Sequence, residues 1–396
     1  MTPVRVLSVQ TTLLGNRTYA ELLRGAFADS SRITFDAHWS PEQREMRIPG
    51  LKRLFWTRNP LRWVRKHNLD FYTARYEIGT SLLVRRFVKR KLAETRPNVL
   101  HLHSQNLALL SVDLMRSIPT VITADMTAMQ TAQQHAPPGW AWTYAPNRRL
   151  EGAAFRAARA VATFSAWAAR SIVEGHRVAP ERVHVVPPGV DLQHFRDLDA
   201  SRRASERARR IVFVGGEFVR KGGLDLVAVF LERFAADGVE LHVVTSPEAS
   251  VPAHPQIVVH RGVKAFSPEW RRVYEEADLF VMPTRADAAP FVFVEAMAAG
   301  IPVIGTTVGA VPEMIAENET GFVVAPGDRR ALADRIALLL EDGALRRRMG
   351  ESGQRRVAAH YDARVNAARL EQIFIDATLP FEPPPLRHAE LVEASG

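Results

Sequence analysis

Short apolar runs of roughly five residues, each followed by a loop and then by a stretch with helical spacing, recur along this chain. In the first half, Val4–Val9, Pro97–His103, Pro119–Ala124, Ala160–Phe164 and Val183-His-Val-Val read as strands. Asn16–Phe27 reads as a helix after a Gly15 loop, and Ser165–Glu174 as a helix capped by Ser165. The stretch from Ser201 to Arg210 is polar, charged and free of core residues, so the domain linker is placed there. After it the alternation resumes: strands at Ile211–Val214, Leu241–Thr245, Ile257–His260, Leu279–Met282 and Pro302–Ile304 are separated by the helices Leu224–Phe234, Pro268–Glu276 and Phe291–Ala299. Ala331–Leu340 and Arg364–Ile375 are late amphipathic helices. Such alternation implies an α/β chain of two doubly wound parallel sheets with crossover helices. Ligands of such folds bind at the loops beyond the strand C-termini.

Composition narrows the function. With 46% apolar and 24% charged residues the chain is neither a fibre nor a mainly disordered protein. Cysteine is absent, which excludes disulfides, a thiol nucleophile and Cys-ligated zinc. No apolar run approaches the ~20 residues of a membrane helix. The start reads as a first strand, not as a signal peptide, so a cytoplasmic protein is expected.

The net charge of +9 is local. Residues 47–96 hold fourteen Lys+Arg and three Asp+Glu, a larger surplus than that of the whole chain. Phe55, Trp56 and Trp63 lie among the basic residues. One reading is a peripheral contact with anionic membrane, at its inner face, or with an acidic acceptor. The other is a solvated helix face whose aromatics belong to the core. No motif supports nucleic acid as a partner.

Two loops carry chemistry. After the strand Ile211-Val-Phe-Val comes Gly215-Gly-Glu-Phe-Val-Arg-Lys-Gly-Gly, then a helix. Glycines let backbone approach a ligand, and a helix N-terminus with Arg220 and Lys221 suits phosphate. The loop is neither a Walker A sequence nor G-x-G-x-x-G. The second stretch, Met282–Ile304, places Asp287 in a loop and Glu295 eight residues later, early in a helix. A carboxylate can accept two hydrogen bonds from a vicinal diol such as ribose. It is also favoured by the helix dipole alone. Three weaker candidates are read as structural. Asp197-Leu-Asp199 looks like a metal-marking DxD but lies beside the linker. His101-Leu-His103 is expected to send its rings to opposite faces of a strand, which leaves no shared metal. Trp140 and Trp142 are expected to pack rather than to form an acceptor wall.

Together these stretches resemble the retaining glycosyltransferases of family 4, which have the GT-B fold. The resemblance also covers Val185-Val-Pro-Pro-Gly-Val-Asp, Val308-Gly-Ala-Val-Pro-Glu-Met-Ile, Thr320-Gly-Phe-Val-Val and Pro326-Gly-Asp. It implies two Rossmann-like domains facing across a cleft. Residues 1–200 would bind the acceptor, and 201–361 the nucleotide sugar. A helix at about 362–378 would return to the first domain, ahead of a tail at 380–396. The donor would be a nucleoside diphosphate sugar of UDP or GDP type, with no other cofactor and no metal. The acceptor would be a glycan, a lipid-linked sugar or a small molecule in cell-envelope or polysaccharide synthesis.

By the same resemblance Arg220, Lys221, Asp287 and Asp125 would be catalytic. Gly15, Gly215 and Gly216 would lie against the donor, and Arg261, Gly262 and Val263 against the base. Backbone amides of Phe291, Val292 and Phe293 would cradle phosphate, and Glu295 would hold the ribose. The chain departs from the family at Asp287 for the first glutamate, Gly216 for an arginine and Pro290 for a glycine. Asp125 stands where the family has a histidine, in an Asp-x-Thr form shared by members with a Ser-x-Trp-Ala-Ala-x-Ser stretch such as Ser165–Ser171. These departures keep a second class open: a non-catalytic sugar- or membrane-binding adaptor.

Overall fold

The computed structural model describes residues 2–11, 15–46, 48–198 and 210–380. The first unit runs β1 (Val4–Gln10), α1 (Gly15–Phe27), β2 (Ile33–Trp39), α2 (Pro49–Trp56), α3 (Arg62–Lys66), α4 (Tyr72–Thr95), β3 (Val99–His103) and α5 (Val112–Met115). It continues with β4 (Thr120–Ala124), α6 (Ala128–His135), α7 (Ala145–Ala157), β5 (Ala160–Thr163), α8 (Ala166–Arg170) and β6 (Val183–Val185). The second runs β7 (Arg210–Val214), α9 (Gly223–Arg233), β8 (Glu240–Thr245), β9 (Ile257–Arg261), α10 (Pro268–Glu275), β10 (Leu279–Val281), α11 (Phe291–Ala298), β11 (Val303–Thr306) and α12 (Val311–Met314). It ends with β12 (Gly321–Val324), α13 (Arg329–Glu341), α14 (Gly343–His360) and α15 (Ala363–Ala377).

Each unit holds one six-stranded sheet, in the orders β2-β1-β3-β4-β5-β6 and β12-β11-β10-β7-β8-β9. Every strand pair is parallel. β3, β4, β5 and β11 are buried along their whole length, as parallel strands covered on both faces must be. In both sheets the order reverses beside a central strand, β1 in one and β7 in the other. The loops after these strands therefore stand at the switch point where such sheets take ligands.

The units are tied by paired crossings. Val190, in the Pro-Pro-Gly-Val stretch, donates to the Tyr361 carbonyl at 2.9 Å, and Ala363 donates back to Val190 at 3.1 Å. At Gly189 a Cβ would stand 2.5 Å from the Ala363 backbone, so only glycine lets the two segments pass. Beyond this point α15 lays Ala367, Leu370, Ile373, Phe374 and Ala377 into the cluster of Val6 and Val121 from the first sheet and Leu23 and Phe27 from α1. The interval between the units at 199–209 and the segment 381–396 lie outside the described residues, and Asp199 with them.

Helix α14 escaped the sequence reading because its buried side is only partly apolar. It presents Arg346, Gly350 and Gly353 beside Met349 and Val357. Arg346 is buried because it donates to the Leu339 and Leu340 carbonyls at the end of α13, at 2.7 and 2.9 Å. The glycines face the small-residue end of α11. A Cβ on Gly350 would stand 2.1 Å from the Gly300 carbonyl oxygen.

Opposite signs are expected at two helical glycines. Gly350→Ala should destabilise the fold by about 1–3 kcal/mol through overpacking. Gly25→Ala, whose Cβ meets nothing within 4 Å, should stabilise α1 by about 0.5–1 kcal/mol. Denaturant unfolding of both variants checks this, and a stable Gly350→Ala protein would contradict the packing.

Candidate active site

The loop after β7 is shaped by close approach. Gly222 sits at φ +82° with no room for a Cβ, which would lie 1.9 Å from the Pro283 carbonyl oxygen. Gly223 is closed in by the Phe218 ring in the same way. The two strand-end loops, 215–223 and 283–290, are thus in backbone contact, joined further by Arg285 N–H donating to the Arg220 carbonyl at 3.0 Å. Lys221 folds over Gly215, whose own Cβ would meet the lysine stem at 3.1 Å, and forms an ion pair with Asp287. Arg220 pairs with Glu217, lies 3.8 Å from Asp287 and donates to the Ala286 carbonyl. Two cations and two carboxylates balance here at the mouth of α11. Gly216 is exposed and its Cβ direction is open, so the arginine of the family pattern would fit where it is missing.

Pro290 precedes the first residue of α11 in extended backbone. The missing N–H at that residue removes no helical hydrogen bond. First-turn amides have no partner inside a helix, although that of Phe293 reaches the Pro290 carbonyl at 3.3 Å. The side chains divide: Phe293 is core, whereas Phe291 packs with Tyr19 and Phe164 of the first unit, at 6.5 and 6.1 Å between ring centres. One turn on, Glu295 is buried and accepts the Tyr274 hydroxyl at 2.7 Å. Burial pushes its carboxyl up, against the hydrogen bonds of Tyr274 and Trp270. Across the sheet, Arg261 is spent on three carbonyls, those of Ser246, Pro247 and Ala249, at 2.8–3.0 Å. It leaves backbone exposed at Gly262, which sits at φ +72°. Val263 packs against the second core.

From the first unit, Asp125 stands half-buried in the loop after β4. Burial raises its carboxyl, its own and the Met126 amide oppose, and the negative charge of Asp287 across the cleft adds to the rise. Thr127 caps α6 in a reciprocal box with Gln130. Its hydroxyl also bonds Ser171 at 2.7 Å, while Gln130 donates to the Trp167 carbonyl at 2.8 Å. The Asp-x-Thr and Ser-x-Trp-Ala-Ala-x-Ser stretches are therefore one hydrogen-bonded unit. Gly15 opens α1, next to residues 12–14, which are outside the described set.

His101 and His103 do not point to opposite faces. Residues two apart on a strand share a face, and the rings stack at 6.3 Å. His101 is satisfied by Ser8 and Thr123 at 2.9 and 2.8 Å. His103 lies among Tyr19 and Phe164 with neither ring nitrogen hydrogen-bonded, and burial pulls its pKa down to about 3. Among the described residues no cluster of His, Asp or Glu could hold a metal ion.

Three cross-cleft contacts have no motif of their own. Gln134 donates to the Asp287 carbonyl at 2.8 Å. Its neighbour His135 feels Arg220, Glu217 and Asp287, and its pKa is lowered mainly by burial. Glu313 accepts the first amide of α8 at 2.8 Å and lies 3.6 Å from Arg170. Glu313 was legible only as part of a family stretch, while Gln134 and His135 gave no signal.

Residues 24–194 match the family model described as Glycosyltransferase Family 4, and 208–342 match Glycosyl transferases group 1. Similar sequences include the D-inositol 3-phosphate glycosyltransferase of Corynebacterium glutamicum, 31% identical over 50% of this chain and 52% of that protein. Another is the MMP alpha-(1->4)-mannosyltransferase of Mycolicibacterium hassiacum, 28% identical over 54% and 53%. The chain spans about half the length of the curated relatives it matches. Among solved structures, sucrose-phosphate synthase of Thermosynechococcus elongatus superposes with a TM-score of 0.72 at 19% identity, over 94% of this chain and 98% of that one. Anabaena HepE in complex with UDP-glucose gives 0.66 at 15%, over 94% and 99%. At these identities the structures speak for the fold: two Rossmann-like units facing a cleft.

A buried acid supports α6 from below. Glu151 accepts the Ala128 amide at 2.9 Å and lies 2.9 Å from His176. Nearby, burial pushes Glu77 up to about 7, against the hydrogen bond from Asn147 and with the charge of Glu151 adding. A carboxyl held above its unfolded pKa stabilises the fold below about pH 4.5, and that contribution is lost as pH rises towards 7. Glu77→Gln should therefore gain about 2–3 kcal/mol relative to the parent between pH 4.5 and 8. Urea unfolding at both pH values measures it; parallel pH profiles would refute the protonated Glu77.

Proposed function

Since the chain belongs to the family 4 glycosyltransferases of GT-B fold, we propose that it transfers a sugar, with retention of configuration, from a nucleoside diphosphate sugar to an acceptor hydroxyl. The second unit holds the donor and the first the acceptor, a glycan, lipid-linked sugar or small molecule of envelope or polysaccharide synthesis. The observation that carries the reading is the convergence of Lys221 and Arg220 on Asp287 at the mouth of α11, with Asp125 facing them across the cleft.

In this reading the diphosphate takes over Lys221 and Arg220, and their charge stabilises it as it leaves. First-turn amides of α11 add donors along the helix dipole. The bond from C1 to the diphosphate oxygen breaks, and a bond from C1 to the acceptor oxygen forms on the same face. The acceptor proton passes to the departing phosphate oxygen, so no protein base is required. Asp287, released from Lys221, receives sugar hydroxyls, and Glu295 receives the ribose. The base lies against the backbone at Arg261–Val263, with Gly15, Gly215 and Gly216 lining the donor. The family match supports a transferase over the adaptor reading, and so does Asp287, which pairs with Lys221 despite its shorter side chain.

Segment 47–96 presents Ile48, Leu54, Leu61 and Trp63 exposed among its cations. Phe55 and Trp56 instead pack on α4, where Gly79 leaves them room. No helix of the described residues is long and apolar enough to cross a membrane. The exposed apolar and basic residues favour a peripheral contact with anionic lipid.

Calorimetric titration with UDP, GDP, ADP and CMP in metal-free buffer should show tight binding of one nucleotide, of UDP or GDP type. Lys221→Ala should lower turnover by about 10²–10³, and Glu295→Ala should weaken the nucleotide about tenfold. Binding of none, or full activity in both variants, would defeat the assignment. Liposome flotation should favour anionic vesicles, and equal recovery with neutral ones would remove the lipid contact.

A further inference from the structure

The turn between α3 and α4 and the end of α6 enclose a cavity of about 170 Å³. Arg58, Arg65, Lys66 and His67 line it from the basic segment, and His135 from α6. Among the described residues Arg58, Arg65 and Lys66 make no ion pair. The Arg58 guanidinium lies over the Tyr72 ring at 4.4 Å, and Arg65 donates weakly to the Asn59 carbonyl at 3.4 Å. Asp70 is the one carboxylate on the wall; its Oδ2 meets Arg75 at 3.4 Å and the Asn59 amide at 3.0 Å, while its buried Oδ1 has no hydrogen-bond partner among the described residues. Three cations against one carboxylate leave the concavity net positive, and an anion relieves their mutual repulsion.

The surroundings fit a larger ligand than a free ion. His67 is fixed by Nδ1–H donating to the Trp63 carbonyl at 2.8 Å, and its ring lies 4.7 Å from that of Trp140. Trp63 and Trp142 flank Trp140, at 6.0 and 6.1 Å, and are 59% and 54% exposed. Such a wall suits the apolar face of a sugar ring or a hydrocarbon. The other end borders the diphosphate loop: His135 feels Arg220 and Asp287, and Gln134 bonds the Asp287 backbone.

Resting on the transferase reading, we infer that this cavity takes a phosphoryl group of the acceptor. The acceptor is then a saccharide bearing a phosphate or a diphosphate. Arg58 and Arg65 offer paired N–H donors to its oxygens and Lys66 a point charge. The tryptophans cover its uncharged part.

The test uses the whole chain, saturated with the nucleotide that binds it so that the donor loop is occupied. Inorganic pyrophosphate, glucose 6-phosphate and farnesyl diphosphate in detergent are titrated at low salt. Tryptophan emission should change on binding, and Trp63→Phe should diminish the change. The double variant Arg65→Ala, Lys66→Ala alters only exposed side chains; it should bind each phosphate at least tenfold more weakly while keeping its nucleotide affinity. Undiminished phosphate binding in that variant, or no phosphate binding by a parent protein that still binds nucleotide, would overturn the inference. Absent nucleotide binding would overturn the transferase reading instead; in that case the comparison of parent and double variant is read without nucleotide. Farnesyl diphosphate binding tighter than pyrophosphate would assign a lipid-linked acceptor, and equal affinities a soluble phosphorylated sugar.

Discussion

Gly222 lies with its Cα against the Pro283 carbonyl, and the arrangement of the cleft depends on that approach. The positive φ and the missing Cβ let the loop after β7 settle on the loop after β10. Once the loops touch, Lys221 pairs with Asp287, while Arg220 lies between Glu217 and Asp287. A side chain at 222 would part the loops and separate Lys221 from Asp287. Parallel strands end at these loops, so a rigid sheet stands behind each charged group.

The second constraint is how the two units meet. Val190 and Ala363 bond to each other where the chain passes between units, and α15 then closes over the first sheet. Across the cleft, Glu313 caps α8, Gln134 bonds the Asp287 backbone and Phe291 enters the cluster of Tyr19 and Phe164. These contacts set Asp125 within electrostatic reach of Asp287. They combine hydrogen bonds with an aromatic contact, as interfaces between domains of one chain commonly do.

Much of the candidate site was legible because it is local. A glycine loop between a strand and a helix declares itself in nine consecutive residues, and Asp287 and Glu295 lie eight apart. What was missed is non-local or not apolar. Gln134 meets Asp287 from 153 residues away, and Tyr274 reaches Glu295 from a different helix. Helix α14 hides its packing in glycines and a buried arginine. The faces of His101 and His103 were misjudged by one step of strand alternation, and the stacked rings correct it. The aromatics of the basic segment answered neither reading whole, since Phe55 and Trp56 pack on α4 while Trp63 stays exposed.

The sequence by itself determined the alternation of strand and helix, the two-domain α/β class and the glycine-rich loop between β7 and α9. Each of these follows from spacing and backbone preference within a few residues. Only the tertiary structure decided that Lys221 is held by Asp287, that Thr127 and Ser171 share a hydrogen bond, and that three cations with no ion pair among the described residues line a cavity beside a tryptophan cluster. Those outcomes depend on which distant surfaces exclude water from one another, and hydrophobic spacing along the chain carries no information about that.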